Sequence, residues 1–111
     1  MSQRIEQLAR RFSRGMGDPS PTEIAWVAGR RQGANHVDSG DVVDSNQSVY
    51  LISVRGHFVD TMASRPYGAA APRGSVLTLI VSRKDFGVLD LGVGNHWPRM
   101  AQLGHVHVLK P

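Results

Sequence analysis

The chain reads as an α+β domain in which two N-terminal helices pack on one face of a small, mainly antiparallel sheet of about four strands. Three observations lead there. Apolar residues in the first third recur at helical spacing, whereas from Val37 onward they fall in short runs bounded by Gly, Pro, Asp and Asn. No helical pattern returns between those runs, so the strand–helix alternation of a parallel sheet is missing. At 111 residues the chain suits one two-layer core. We divide it into an amphipathic basic helix at 1–17 and an α+β domain at 20–111.

The first helix is set by Ile5, Leu8, Ala9, Phe12 and Met16, which fall at i, i+3, i+4, i+7 and i+11 and make one narrow stripe. Ser2 is placed to cap it, and Gly15 and Gly17 to stop it. Gln3, Gln7, Arg10 and Arg14 lie opposite the stripe, with Arg4 and Arg11 on its flank. Ser20-Pro21-Thr22-Glu23 then has the form of a capping box and predicts a second helix ending near Asn35, with Ile24, Val27, Ala28 and Arg31 on one face. Val42-Val43 predicts a short strand or bridge. Ser48 to Val59 is rich in β-branched and aromatic residues, with Val49, Leu51 and Ser53 facing one way and Tyr50, Ile52 and Val54 the other. Both sets are largely apolar, which predicts a central strand. A loop follows at 60–74. Ser75 to Ser82 and Val88 to Gly94 predict a hairpin across Arg83-Lys84-Asp85-Phe86-Gly87. A second irregular stretch starts at Asn95, and His105 to Leu109 predicts a closing strand.

Composition narrows the function classes. The hydrophobic fraction of 41% and charged fraction of 20% are those of a folded domain, not a disordered tail. The chain has no cysteine, which excludes disulfides and thiolate metal ligands. No apolar run approaches the roughly 20 residues of a membrane-spanning helix. The opening "MSQRIEQLARRFSRG" is charged throughout, unlike a secretory leader, and gives the expectation of a cytoplasmic protein. The net charge is +4, carried by 11 Arg against 2 Lys, and it is unevenly placed. Residues 1–31 hold six Arg against Glu6, Asp18 and Glu23, while residues 38–60 hold Asp38, Asp41, Asp44 and Asp60 against Arg55. A basic end beside an acidic stretch points to self-association or to an anionic partner.

From Ser20 to Asp90 the order of a helix, a strand and the hairpin "LTLIVSRKDFGVLDLG" resembles the PepSY-like domains. The spacing from Val81 to Val88 follows that family's hairpin, with Ser82 where the family has an aspartate and Gly87 one position late. The resemblance implies a non-catalytic module that binds or restrains another protein, and it carries over no catalytic residue.

Four sets of residues carry possible chemistry. His105 and His107 project from one face of a strand and supply two imidazoles, which a metal site would complete with His57, His96 or Asp60. Hydrophobic alternation instead sets both histidines on a wet edge, with Val106 and Val108 in the core. His57 and Asp60 flank the end of the central strand and Asp90 lies in the hairpin. A histidine beside a carboxylate suits acid–base work, although a strand end and a turn cap explain the same residues. Arg65 and Tyr67 in one loop, and Trp97 and Arg99 in the other, join aromatic, Pro and Arg as recognition surfaces do. The competing reading folds Trp97 back onto the sheet end. Arg4, Arg10, Arg11 and Arg14 offer an electrostatic face to an anion or nucleic acid, but no helix-turn-helix spacing or stacking aromatic accompanies them, so nucleic acid is not the expected partner. The expectation is a self-associating interaction module for a protein or peptide, engaged through Arg65, Tyr67, Trp97 and Arg99. It needs no cofactor and touches no membrane. The alternative is a small acid–base enzyme using His57 and Asp60, or a metal-dependent one using His105 and His107.

Overall fold

The computed structural model describes residues 1–38, 45–61 and 65–110. The expectation for Val42-Val43 lies outside them. The described residues form a helix α1 (Ser2–Gly15), a strand β1 (Glu23–Arg30), a helix α2 (Arg31–Asp38), strands β2 (Ser48–Val59), β3 (Arg73–Ser82) and β4 (Val88–Gly94), a single 3-10 turn at Met100–Gln102, and a short strand β5 (His107–Leu109). The strands make one antiparallel sheet in the order β4-β3-β2-β1-β5. The α+β class, the central place of β2 and the β3–β4 hairpin all follow the sequence reading.

Two details differ. The segment read as the second helix is mostly β1. Ile24 and Trp26 join one core cluster while Ala25 and Val27 join the other, so this run is buried on both faces. A doubly buried strand carries no polar period, and its apolar spacing imitates a helix face. The capping-box residues do not open a helix, because Pro21 is already buried and Thr22 donates its N–H to the Arg55 carbonyl at 2.9 Å as β1 enters the sheet. The second difference is that the helices lie on opposite faces. Ile5, Leu8, Ala9 and Met16 of α1 pack with Ile24, Trp26, Tyr50, Ile52, Val54, Leu77 and Leu79. Ala34 of α2 packs with Ala25, Val27, Val49, Leu51 and Ile80. A helix that follows directly on β1 turns onto the face that α1 leaves open.

That second face also receives an irregular strap. The chain leaves β4 at one edge of the sheet and reaches β5 at the other, laying Trp97, Met100, Leu103 and Val106 across the second cluster as it passes. At the end of α1, Gly17 adopts φ +101, a left-handed conformation that glycine takes without a Cβ clash. The start of α1 lacks the expected serine cap: Met1 holds the cap position and its carbonyl accepts the Arg4 and Ile5 amides.

Candidate functional site

Antiparallel pairing brings the end of β2, the start of β3 and the end of β4 to one end of the sheet, where Phe58 faces Gly74 and Val76 faces Gly94. The two loops singled out in the sequence therefore leave the sheet side by side. Between Arg55 and Phe58 the register shifts by a bulge. Asp18 clamps it, accepting the His57 amide on Oδ2 and the Ser20 amide on Oδ1, both at 2.8 Å. Beside the bulge opens a cleft of about 490 Å³ lined by His57, Phe58, Val59, Arg73, Ser75 and Asn95. Asn95 fixes its far wall by accepting the Ser75 amide at 3.0 Å and the Ser75 hydroxyl at 3.2 Å.

Around this cleft the loop residues divide. Tyr67 is fully exposed, and Arg65 and Arg99 are exposed as well. Trp97 is half-buried in the strap, with the Arg55 guanidinium 4.0 Å above its ring. Arg55 at the same time donates from Nε to Glu23 Oε1 at 2.8 Å. Trp97 thus supports the sheet end rather than projecting beside Tyr67. His57 is exposed, whereas Asp60 is 6% exposed and its amide is held by the Pro72 carbonyl at 2.8 Å. No hydrogen bond joins His57 to Asp60 among the described residues. Asp90 sits far from both, accepting Asn35 Nδ2 at 3.1 Å and the Leu91 amide at 2.9 Å.

The C-terminal histidines occupy the sheet edge. His107 pairs with Trp26 across β1–β5, and its ring stacks on the indole at 4.0 Å with 13° between planes. His105 meets His107 edge-on at 4.7 Å. Val106 packs on the second cluster as expected, but Val108 is 49% exposed, because β5 is an edge strand and the strap ends before covering it. His96 lies on the other side of the strap, its Nε2 3.3 Å from the Val37 carbonyl. Among the described residues no three His, Asp or Glu side chains gather as metal ligands would. No helix among them is long and apolar enough to cross a membrane.

The chain matches no family model, no curated protein and no solved structure. Its chemistry must therefore be argued from its own residues. Three of these, Asp18, Arg73 and Asn95, had no motif to mark them. Each matters only because the fold carries it to the sheet end.

Proposed function

We propose that the protein is a non-catalytic interaction module that binds a protein or peptide through the loop end of its sheet. The observation that carries this reading is Tyr67, a fully exposed aromatic on a loop that leaves the sheet beside the cleft. A tyrosine there offers a large, rigid contact at low entropic cost, the character of a binding hot spot. Exposed Arg65 and Arg99 on the two loops and Arg73 in the cleft wall favour a partner segment bearing carboxylates next to an apolar or aromatic residue. His57 and Asp60 support catalysis less well, one being exposed and the other buried with no bond between them.

Self-association belongs to the same reading and is supported by β4. This seven-residue strand has no partner on its outer side among the described residues, and Asp90 is its one charged residue. Long edges with so little charge invite pairing with another copy.

Selection from a random peptide library, followed by titration calorimetry of the enriched peptides, tests the loop site. Tyr67→Ala and Arg65→Ala/Arg99→Ala are each expected to weaken binding by about tenfold or more, which is about 1.4 kcal/mol. Peptides that bind Tyr67→Ala as tightly as the parent would overturn the assignment. Sedimentation velocity of the parent and of Val93→Lys tests the edge, with a dimer expected only for the parent.

A further inference from the structure

A second polar cleft, of about 270 Å³, lies at the opposite end of the sheet, between α1 and the β3–β4 turn. It is lined by Arg4, Gln7, Leu8, Arg11, Asp85 and Phe86. On the helix, Arg4 and Arg11 lie on the flank of the apolar stripe, with Gln7 beside them in the cleft wall. Arg4 and Arg11 stand about 10 Å apart along the axis at 1.5 Å per residue. The turn brings Arg83 and Lys84 alongside. None of these four cations, Arg4, Arg11, Arg83 and Lys84, has an ion pair among the described residues.

Two of them are nonetheless held in place. The Arg4 guanidinium lies 4.3 Å from the centre of the Phe86 ring, and that of Arg83 lies 5.3 Å from the Tyr50 ring. Stacking on a ring orients a guanidinium without neutralising it, whereas a carboxylate would cancel the charge. Phe86 itself adopts φ +63, a left-handed conformation that strains a residue with a Cβ. The Gly87 that follows has no positive φ, so the residue that bears the strain is the one whose ring meets Arg4. Among the described residues, Asp85 is the only carboxylate lining the cleft, and it is turned onto its own turn, accepting the Gly87 amide at 2.9 Å.

We propose that this groove binds the phosphate backbone of a nucleic acid without regard to sequence. Several cations spread over about 10 Å match a polyanion better than a single small anion, because one DNA strand presents a phosphate about every 3.4 Å of helix axis. Guanidinium forks also pair with phosphate oxygens two at a time. An acidic protein segment fits less well, since the lining is polar and lacks the exposed apolar centre of a protein interface. A membrane surface fits less well too, because most of the apolar stripe of α1 is buried on its own sheet.

The test is fluorescence anisotropy with a labelled random-sequence duplex and the matching single strand, across a salt series starting near 50 mM. Polyglutamate and phosphatidylglycerol vesicles serve as competitors. The expected result is saturable binding to at least one strand form, with a log–log salt slope of roughly −3 or steeper. Arg11→Ala/Lys84→Ala, which disturbs neither stacked pair, should weaken binding at every sequence and flatten the slope by about 1.5–2. Arg65→Ala/Arg99→Ala, at the other end of the sheet, should leave nucleic-acid binding unchanged, so the two sites succeed or fail separately. No binding near 50 mM salt, insensitivity to Arg11→Ala/Lys84→Ala, or equal or tighter binding of polyglutamate or vesicles would each overturn the proposal.

Discussion

Arg55 makes two contacts at once, its Nε bonded to Glu23 and its guanidinium plane laid on Trp97. Its side chain is 45% exposed, so solvent screens the ion pair to between nothing and about 1 kcal/mol. The ring contact adds about 0.5–1 kcal/mol. We therefore expect Glu23→Gln to change stability little, Arg55→Ala to lower it by about 1 kcal/mol, and Arg55→Lys to fall between, since an ammonium cannot lie flat on the indole. Urea unfolding followed by tryptophan fluorescence reads all three. A Glu23→Gln loss as large as that of Arg55→Ala would make the ion pair, not the ring, the contact that matters. At the other end of the sheet, Asp85 shows how one carboxylate couples stability to pH. The Gly87 amide first, then the Ser82 side chain, hold its carboxyl below the ordinary value of 3.8. A depressed folded-state value means that the stabilisation is complete above 3.8 and is lost as the pH falls through the folded value. Asp85→Asn keeps the shape but not the charge, so it should be less stable than the parent near neutral pH, with the gap closing as acid is added. A gap that stays constant with pH would remove the carboxylate from the account.

Among the elements, α1 decides whether the basic N-terminus is an arm or part of the core. Ile5 and Ala9 are fully buried against the sheet, and Leu8 and Met16 nearly so. Ile5→Ala should cost about 2–5 kcal/mol, the range for truncating a buried aliphatic side chain. Deleting residues 1–17 should abolish the cooperative transition instead of freeing an independent domain, and near-UV circular dichroism through a thermal scan shows which occurs. The elements also show where sequence patterns carried information. Helix α1 was legible from the 3.6 period along Ile5, Leu8, Ala9 and Phe12, strand β2 from its run of β-branched and aromatic residues, and the β3–β4 hairpin from the turn formers between two such runs. Strand β1 was not, because Ile24-Ala25-Trp26-Val27, covered on both sides, has an apolar spacing that imitates a helix face and follows Ser20-Pro21-Thr22-Glu23, which has the form of a helix start. The side on which α2 packs depends on space that only the folded sheet defines. The same holds for function. Loop neighbours such as Arg65 and Tyr67 could be paired from composition alone, whereas Arg4 and Phe86 stand 82 residues apart and meet only through α1 and the turn. Whether Trp97 projects from its loop or folds back onto the sheet end stayed open in the sequence, because the strap that buries it has no regular pattern.

For the molecule as a whole, the decisive closure is β5 on β1, which joins the last residues of the chain to residues 24–26. β5 is only three residues long, but it shields the edge of a strand that carries Ile24, Ala25, Trp26 and Val27. His107 covers the indole of Trp26, leaving that ring 7% exposed. Without β5, the row of unpaired β1 amides and carbonyls would be a long, apolar edge, the arrangement that templates edge-to-edge aggregation. Removing residues 105–111 is therefore expected to raise light scattering at concentrations where the full chain stays clear, and to lower the midpoint of thermal unfolding. His107→Ala separates the two contributions. It strips the stacked ring but keeps the backbone ladder, so it should lose stability without gaining scattering. If the shortened chain stays clear and melts with the parent, the strap from Asn95 to Gly104 already seals this edge. If His107→Ala scatters like the truncation, the ring over Trp26, not the ladder of hydrogen bonds, is what keeps β1 from pairing with another copy.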